Sequence, residues 1–564
     1  LPVDDAWEGL LEENGRARLA AILPELLATR PWFGGFGGFG GKGRTLRAVR
    51  VQEVVRFDED EGLADAAVLL LAVEYAQGEP ETYALPLAFA SGERAALLRE
   101  RLPQALVARI EGEDEGVLFD ALADPDFATG LLEAIARRRR FRGEDERELV
   151  AFPTAAFRRL ANAANGANTT HATPVTALAP TLHEGEQSNS SLIYGDRFVL
   201  KLFRRLDPGI NPDLEIGRFL TEEAAFPHTA PVAGGIELRR DGEEPLTLAI
   251  LHGFVPNEGD AWTYTLDALG RYVERALAEG GTHAPALPHG SILDSAERDL
   301  PAATYQRMGT YLPSAQLLGE RTAELHLALA SRPDRPGFEH EPFSLLYQRS
   351  LYESIRTAAS RNFQLLEQRL GQLPDDAAHL ARQVLAGRDR LAERLAGLLT
   401  AKISGVRIRI HGDYHLGQVL YTGRDFVILD FEGEPARPLS ERRLTRSPLR
   451  DVAGMLRSFH CAAHAAFLAE AERGVVQGPA LQALSGWLHF WERSAAAAFL
   501  GAYLARSRAG SALYLPPTRP ELSLLLDVFL LEKAVHELGT ELNHRPDWVG
   551  VPLAGILQVL GEPA

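Results

Sequence analysis

The segment His411-Gly412-Asp413-Tyr414-His415-Leu416-Gly417-Gln418 lies between two apolar runs, and the second run, Phe426-Val427-Ile428-Leu429, ends on Asp430. Asp413 is a carboxylate, Gln418 five positions later is a neutral oxygen donor, and Asp430 is a second carboxylate. Phosphoryl transfer needs these residue types: a base or orienter for the acceptor hydroxyl, and hard oxygen ligands for Mg²⁺ between the β- and γ-phosphates of ATP. A second group stands upstream. Lys201 sits inside Val199-Leu200-Lys201-Leu202, where an unpaired ammonium would be costly to bury. Its natural partners are ATP phosphates and a carboxylate from the next helical segment, with Glu215 the candidate. Ahead of that strand, Gln187, Ser188, Asn189 and Ser190 are small polar residues placed to cover phosphates. A His-Gly-Asp turn alone is only a turn. The offsets of Gln418 and Asp430, and the order loop, Lys, Glu, Asp, Gln, Asp, give it chemical meaning.

Other chemistries fit less well. Gly35, Gly37 and Gly40 satisfy G-x-G-x-x-G, but so would most stretches this rich in glycine, and Gly43 follows Lys42 where a Walker loop needs Ser or Thr; a surface loop is expected there. His411 and His415 with Asp413 could ligate zinc, but their spacing lies on a loop and no further protein ligand is evident. His460 and His464 are four apart on an apparent helix, but no Glu follows His460, so a zincin helix is excluded. No G-x-S-x-G nucleophile elbow stands out.

The 564 residues are 46% hydrophobic and 24% charged, the balance of a soluble globular chain long enough for several packed units. The formal net charge of −18 repels nucleic acid and anionic lipid. The run Arg137, Arg138, Arg139, Arg140 and Arg142 opposes this and reads as a solvated helix end. No apolar run is long enough to span a membrane, and the start, with Asp4, Asp5 and Glu8, has no basic leader pattern. The single cysteine, Cys461, allows no intrachain disulfide, which fits a reducing cytoplasm.

The elements that must carry these residues follow from periodicity. Leu10 to Leu27 predicts a helix; Arg47 to Phe57, Ala67 to Tyr75 and Glu81 to Ala88 predict strands. A helical, charged stretch is expected over 93–165, then a loop at Asn162 to Thr176. Leu192 to Tyr194 and Phe198 to Phe203 flank Gly195-Asp196 as a hairpin. Asp213 is expected as an N-cap or first-turn residue, and Leu246 to Val255 as a strand. The remainder is helical, notably Ala315 to Leu329 and Leu345 to Leu399, except for short strand-like runs within Val406 to Asp430.

A protein kinase also places Asp and Asn five apart on its catalytic loop and a second metal-binding Asp on the next strand; here Gln replaces Asn, and Asp430-Phe431-Glu432 replaces Asp-Phe-Gly. More specifically, the chain resembles the maltokinases of the aminoglycoside-phosphotransferase-like group, above all those fused behind trehalose synthase. The resemblance runs through Trp32-Phe33-Gly34-Gly35 with Lys42, Gln187 to Ser191, Leu200 to Arg205, Asn211 to Glu215, His411 to Gln418, Asp430 to Pro435, Ser447 to Ser458 and Asn543 to Trp548. It implies an α+β, bilobal protein-kinase-like fold with an N-terminal β-rich cap subdomain (1–105), an intermediate subdomain and N-lobe (106–256), and a mainly helical C-lobe holding the catalytic and sugar site (257–564). It implies ATP- and Mg²⁺-dependent phosphorylation of maltose to maltose 1-phosphate for α-glucan synthesis. In this reading Asp413 is catalytic, Gln418 and Asp430 hold Mg²⁺, and Lys201, set by Glu215, meets the phosphates with Gln187, Ser188, Asn189 and Ser190. His411, Asp413, Lys533, His536 and Thr540 face the sugar. A fusion origin would also account for a chain opening on Leu1.

The family's cap motif is interrupted here by extra Gly-Gly-Phe triplets, and His536 and Thr540 stand where the family carries tyrosines that stack on the disaccharide. Those departures open a kinase for another sugar, such as an amino sugar. A degenerate, regulatory domain of a trehalose synthase fusion is the non-enzymatic alternative, which intact Lys201, Asp413, Gln418 and Asp430 oppose.

Overall fold

The computed structural model describes residues 1, 6–33, 44–57, 65–111, 115–144, 146–162, 177–183, 189–278, 284–286, 290–474 and 478–561. The chain divides into two compact units, one formed by residues 1–225, 230–256 and 435–442, the other by 226–229, 257–434 and 443–564.

The first unit is built on two sheets. β1 (Leu46–Phe57), β2 (Ala66–Tyr75), β3 (Glu81–Ser91), β4 (Leu106–Ile110) and β5 (Gly116–Asp120) form a sheet of order β1-β2-β3-β5-β4. The near-continuous apolar run of β2 follows from burial on both faces. Val68 and Leu70 enter one core, while Leu69, Leu71 and Val73 enter another with Leu19, Leu23 and Leu27 of the helix Glu13–Ala28. Those three leucines recur every four residues and so form one stripe. The helix begins at Glu13, later than the expected Leu10, because Trp7–Leu11 takes a 3₁₀ turn.

The second sheet contains β6 (Arg140–Arg142), β7 (Glu148–Pro153), β8 (Pro180–His183), β9 (Asn189–Tyr194), β10 (Phe198–Phe203), β12 (Val232–Arg239) and β13 (Leu246–Gly253). Its order is β6-β7-β12-β13-β10-β9-β8, while the short β11 (Arg205–Leu206) pairs back to β3 of the first sheet. The expectation of a helical stretch over 93–165 is corrected, since β4 to β7 lie within it. The first sheet therefore continues past residue 105, the expected cap boundary. In the arginine run, the helix Pro125–Arg137 stops where Arg138 turns left-handed (φ 57°), and Arg140 and Arg142 are solvent-facing residues of β6 around the buried Phe141. The loop expected at Asn162 to Thr176 and the glycine-rich segment with Lys42 fall, from 163 and from 34 on, outside the described residues.

The second unit is mainly helical. Its longest helices are Tyr311–Leu329, Leu345–Arg369, Leu449–Arg473, Pro479–Ala509 and Arg519–His544. The expected helix from Leu345 to Leu399 is three: the chain breaks after Arg369 and again at Gly387. Set among these helices are two small pairs, β14 (Glu341–Pro342) with β15 (Val406–Arg407), and β16 (Val419–Tyr421) with β17 (Phe426–Ile428). The run before His411 is a strand only over two residues; Ile408 continues it through a single bridge to Arg446. Among the described residues, no helix is long and apolar enough to cross a membrane.

Candidate active site

The second unit carries the loop Ile410–Gln418, bounded by β15 and β16. Its conformation is held from outside. Asp451, on the first turn of Leu449–Arg473, accepts the His411 backbone N–H at 2.8 Å on one oxygen and that of Gly412 at 3.0 Å on the other. The same carboxylate lies 3.1 Å from His326 Nε2, and His326 Nδ1 lies 3.0 Å from the Tyr503 hydroxyl. All three side chains are buried. Burial would raise the Asp451 pKa, but the hydrogen bond from His326, the His326 and His411 rings and the Gly412 N–H more than offset it, so the carboxyl is held below its ordinary value. Further along, Tyr414 meets the Thr322 hydroxyl at 2.8 Å, and the Leu416 N–H donates to Ser458 Oγ at 3.1 Å. The helix comes close enough for this because residue 454 is glycine: a Cβ there would lie 2.5 Å from the Tyr414 carbonyl oxygen.

His411 is 1% exposed and its ring is engaged on both sides. Nε2 bonds the Leu429 carbonyl at 2.8 Å, and Nδ1 accepts the Asp413 N–H at 3.4 Å. Both ring nitrogens are thereby engaged, and the ring ties the loop to the residue before Asp430. A second stitch, from the Leu429 N–H to the Gln418 carbonyl at 3.0 Å, fixes the same junction. Gln418 closes a single 3₁₀ turn, Leu416–Gln418. Asp430 has a left-handed backbone (φ 66°), uncommon for a residue with a side chain and frequent at functional sites. Its carboxylate and that of Glu432 lie within 4.8 Å of each other, both partly exposed. Oxygen donors of this kind suit a hard divalent cation.

Asp413 is 20% exposed, and Oδ1 lies 3.3 Å from Lys533 Nζ on the helix Arg519–His544. Burial pulls the Lys533 pKa down, but the Asp413, Glu434 and Glu537 carboxylates more than reverse it, so the ammonium is held above its ordinary value. His536, one turn on, puts Nε2 2.8 Å from Glu434. Arg450 bridges Glu532 at 3.0 Å and Glu434 at 3.6 Å, and Arg457 grips Glu537. The Thr540 hydroxyl bonds the His536 carbonyl at 3.3 Å within its own helix. Lys533 and His536 thus sit in a lattice of alternating charges beside Asp413. His460 and His464, on Leu449–Arg473, belong to no cluster of metal-ligating side chains among the described residues, and burial lowers both pKa values. Burial likewise pushes the Cys461 thiol up to about 12, leaving it unreactive at neutral pH.

In the first unit, Lys201 on β10 places Nζ 3.4 Å from Oδ2 of Asp213, whose side chain is 1% exposed. The N-cap of the helix Pro212–Arg218 is Asn211, whose side chain accepts the Asp213 N–H, which frees the Asp213 carboxylate to face the lysine. Glu215, the partner expected for Lys201, lies in the same first turn. On β9, Ser191 stands opposite Lys201, and Asn189 and Ser190 opposite Phe203 and Leu202. The Ser190 hydroxyl accepts from Arg204 Nε at 2.8 Å; Arg204 also reaches Asp120 at 2.6 Å and covers the Trp32 ring at 4.6 Å. Gln187 and Ser188 lie outside the described residues.

Sequence reasoning missed Asp213, Asp451, His326 and Tyr503. Asp451 stood inside a motif that carried the family resemblance, but His326 and Tyr503 come from other helices and left no spacing signal.

Comparison with known proteins adds to this geometry. Residues 27–124 match the maltokinase N-terminal cap domain family. A glucosamine kinase from Streptacidiphilus jiangxiensis is 25% identical over 383 residues, 67% of this chain and 72% of its own length. One from Mycolicibacterium smegmatis is 25% identical over 381 residues, 67% of this chain and 78% of its own. This chain is sugar-kinase-like. A structure of glucosamine kinase in complex with glucosamine, ADP and inorganic phosphate aligns over 99% of this chain and 100% of its own, with a TM-score of 0.58 and 21% identity. The likeness shows a kinase-like fold, in which a sheet-based cap precedes a helical C-terminal region.

Proposed function

We propose that the chain is an ATP-dependent sugar kinase in which Asp413 receives the proton of the acceptor hydroxyl. The observation that carries this reading is the state of the Asp413 loop. Its backbone is locked by Asp451 and its flanks by Tyr414 and Leu416, while the Asp413 carboxylate stays partly exposed, with Lys533 on one oxygen. A fixed, partly open carboxylate is the arrangement that positions an alcohol for in-line attack. As the acceptor oxygen bonds to the γ-phosphorus, its proton passes to Asp413 and the bond to the ADP oxygen breaks. Gln418 and Asp430 would hold Mg²⁺, which neutralises charge on the transferring phosphoryl group. Lys201, held by Asp213, would meet the ATP phosphates.

Two acceptors have separate support. An amino sugar of the glucosamine type is favoured by the two curated relatives described above, both glucosamine kinases. Maltose, giving maltose 1-phosphate, is favoured by the cap-domain match. Against it, His536 is bound to Glu434 and Thr540 to its own helix, and neither offers the apolar face on which a disaccharide stacks.

The deciding experiment is coupled ADP release from ATP and Mg²⁺ over glucosamine, other monosaccharides and maltose. Release with one sugar far above the rest names the acceptor; no release with any sugar would return the chain to a non-catalytic role. Asp413→Asn should lower turnover by roughly 10²–10⁴ with ATP binding retained, and full turnover in that variant would refute the assignment.

A further inference from the structure

His415 lies two residues beyond Asp413, and the reading above gives it no role. Its ring is fixed in an unusual way. The Gly417 backbone N–H donates to Nδ1 at 3.1 Å, so Nδ1 is the acceptor and the ring proton of the neutral imidazole resides on Nε2. The approach is close: a Cβ at 417 would stand 3.1 Å from both Nδ1 and Cε1, a tight contact that the ring would have to yield to. Nε2 then points toward the catalytic carboxylate, 4.0 Å from Asp413 Oδ2, while Lys533 occupies Oδ1. The side chain is 39% exposed, so its Nε2 edge is within reach of a small solute.

A distance of 4.0 Å is too long for a direct hydrogen bond, yet an oxygen roughly 2.8 Å from each atom fits across it. We infer that His415 positions the acceptor oxygen: Nε2–H donates to one lone pair of the sugar hydroxyl while that hydroxyl donates its proton to Asp413 Oδ2. The second lone pair is left for the γ-phosphorus. When the oxygen–phosphorus bond forms, the hydroxyl proton moves to Asp413, the phosphorus–oxygen bond to ADP breaks with its electron pair, and His415 keeps its proton throughout. The inference rests on the kinase reading. It adds a donor that fixes the direction of attack, the term on which a loose phosphoryl-transfer transition state depends most.

A histidine at this place could also serve only as the cap of the turn Leu416–Gln418. Asparagine separates the two roles, because its side-chain oxygen is a good N-cap acceptor for the Gly417 N–H but its amide does not reach Asp413. The test measures His415→Asn and His415→Ala in the full chain, with glucosamine and maltose as acceptors, following kcat/KM for the sugar, KM for ATP and Tm. His415→Asn should keep Tm and the ATP KM within about twofold and lose roughly 10- to 100-fold in kcat/KM for the sugar; His415→Ala should lose Tm as well. Unchanged sugar kcat/KM in His415→Asn overturns the inference. So does a loss that appears equally in Tm and ATP KM, since that is a cap effect alone. Absence of ADP release by the wild-type protein with every sugar refutes the kinase reading itself and is visible before any variant is made.

Discussion

Replacing Asp451 with asparagine tests the support of the catalytic loop most directly. The carboxylate is 2% exposed and holds three donors: the His411 and Gly412 N–H groups and His326 Nε2. Asparagine keeps one acceptor oxygen and turns a donating amide toward a group that also donates. Each hydrogen bond to a buried charge contributes about 1.5–3 kcal/mol, and breaking one side of a buried charged cluster costs about 3–5 kcal/mol. At roughly 2 °C per kcal/mol for a unit of this size, Tm should fall by about 6–10 °C. The pKa of Asp451 is held below its ordinary value, so this stabilisation is fully present at neutral pH and is lost only as the pH falls below about 4, through the folded value. The kinetic effect should be larger than the thermal one suggests. A shift of about 1 Å in Asp413 is enough to lower turnover by about 10²-fold, whereas the ATP KM, set by the Lys201 side, should stay near wild type. Thermal melts and coupled ADP release on the same preparation supply both numbers. Wild-type Tm together with wild-type kcat in Asp451→Asn would refute the reasoning, because the loop would then hold its shape without the carboxylate.

Two further outcomes follow from other buried charges. Glu492, 6% exposed, is pushed by burial to about 7, against the opposing pull of Arg493 and Arg457; the folded form keeps its proton while the unfolded chain releases it near 4.5, so stability should fall as the pH rises between these values, by about 3 kcal/mol in all. Urea titrations from pH 4.5 to 8 should show that slope in the wild type and its loss in Glu492→Gln; an unchanged slope would count against it. Lys201→Met removes the ammonium that Asp213 holds and should raise the ATP KM at least about tenfold, with the sugar KM little changed, in initial-rate measurements of ADP release.

Much of the fold was legible because its signals are local. The strands β1 to β3 announced themselves by β-rich runs ending in turn residues, and the hairpin of β9 and β10 by Gly195-Asp196 between two such runs. The strands β4 to β7 were not legible. They are three to six residues long, separated by a helix and charged turns, and a run such as Arg140-Phe141-Arg142 becomes a strand only because β7 lies beside it and the first unit's core receives Phe141. Burial of both faces also hid period two in β2, where every residue from Ala66 to Leu71 is inside.

The site divides along the same line. Asp413, Gln418 and Asp430 stand out as candidates because phosphoryl transfer asks for those residue types on one loop and the strand after it. The parts that make the loop rigid obey no such spacing: His326 is 85 residues before His411 and Tyr503 is 92 after it, and only the packing of their helices brings them to Asp451. For His411 the expectation of a sugar contact comes from residue type and family resemblance alone. A histidine beside a catalytic aspartate has the right chemistry for that task, but the Leu429 carbonyl and the Asp413 N–H consume both nitrogens. For Lys201 the sequence offered two carboxylates in one helical turn, Asp213 and Glu215. The structure places Asp213 3.4 Å from the ammonium, with Asn211 accepting the Asp213 N–H so that the Asp213 carboxylate is not needed as the cap. Residue type therefore suggests the chemistry, whereas the assignment of each role depends on which polar atoms the fold has already satisfied.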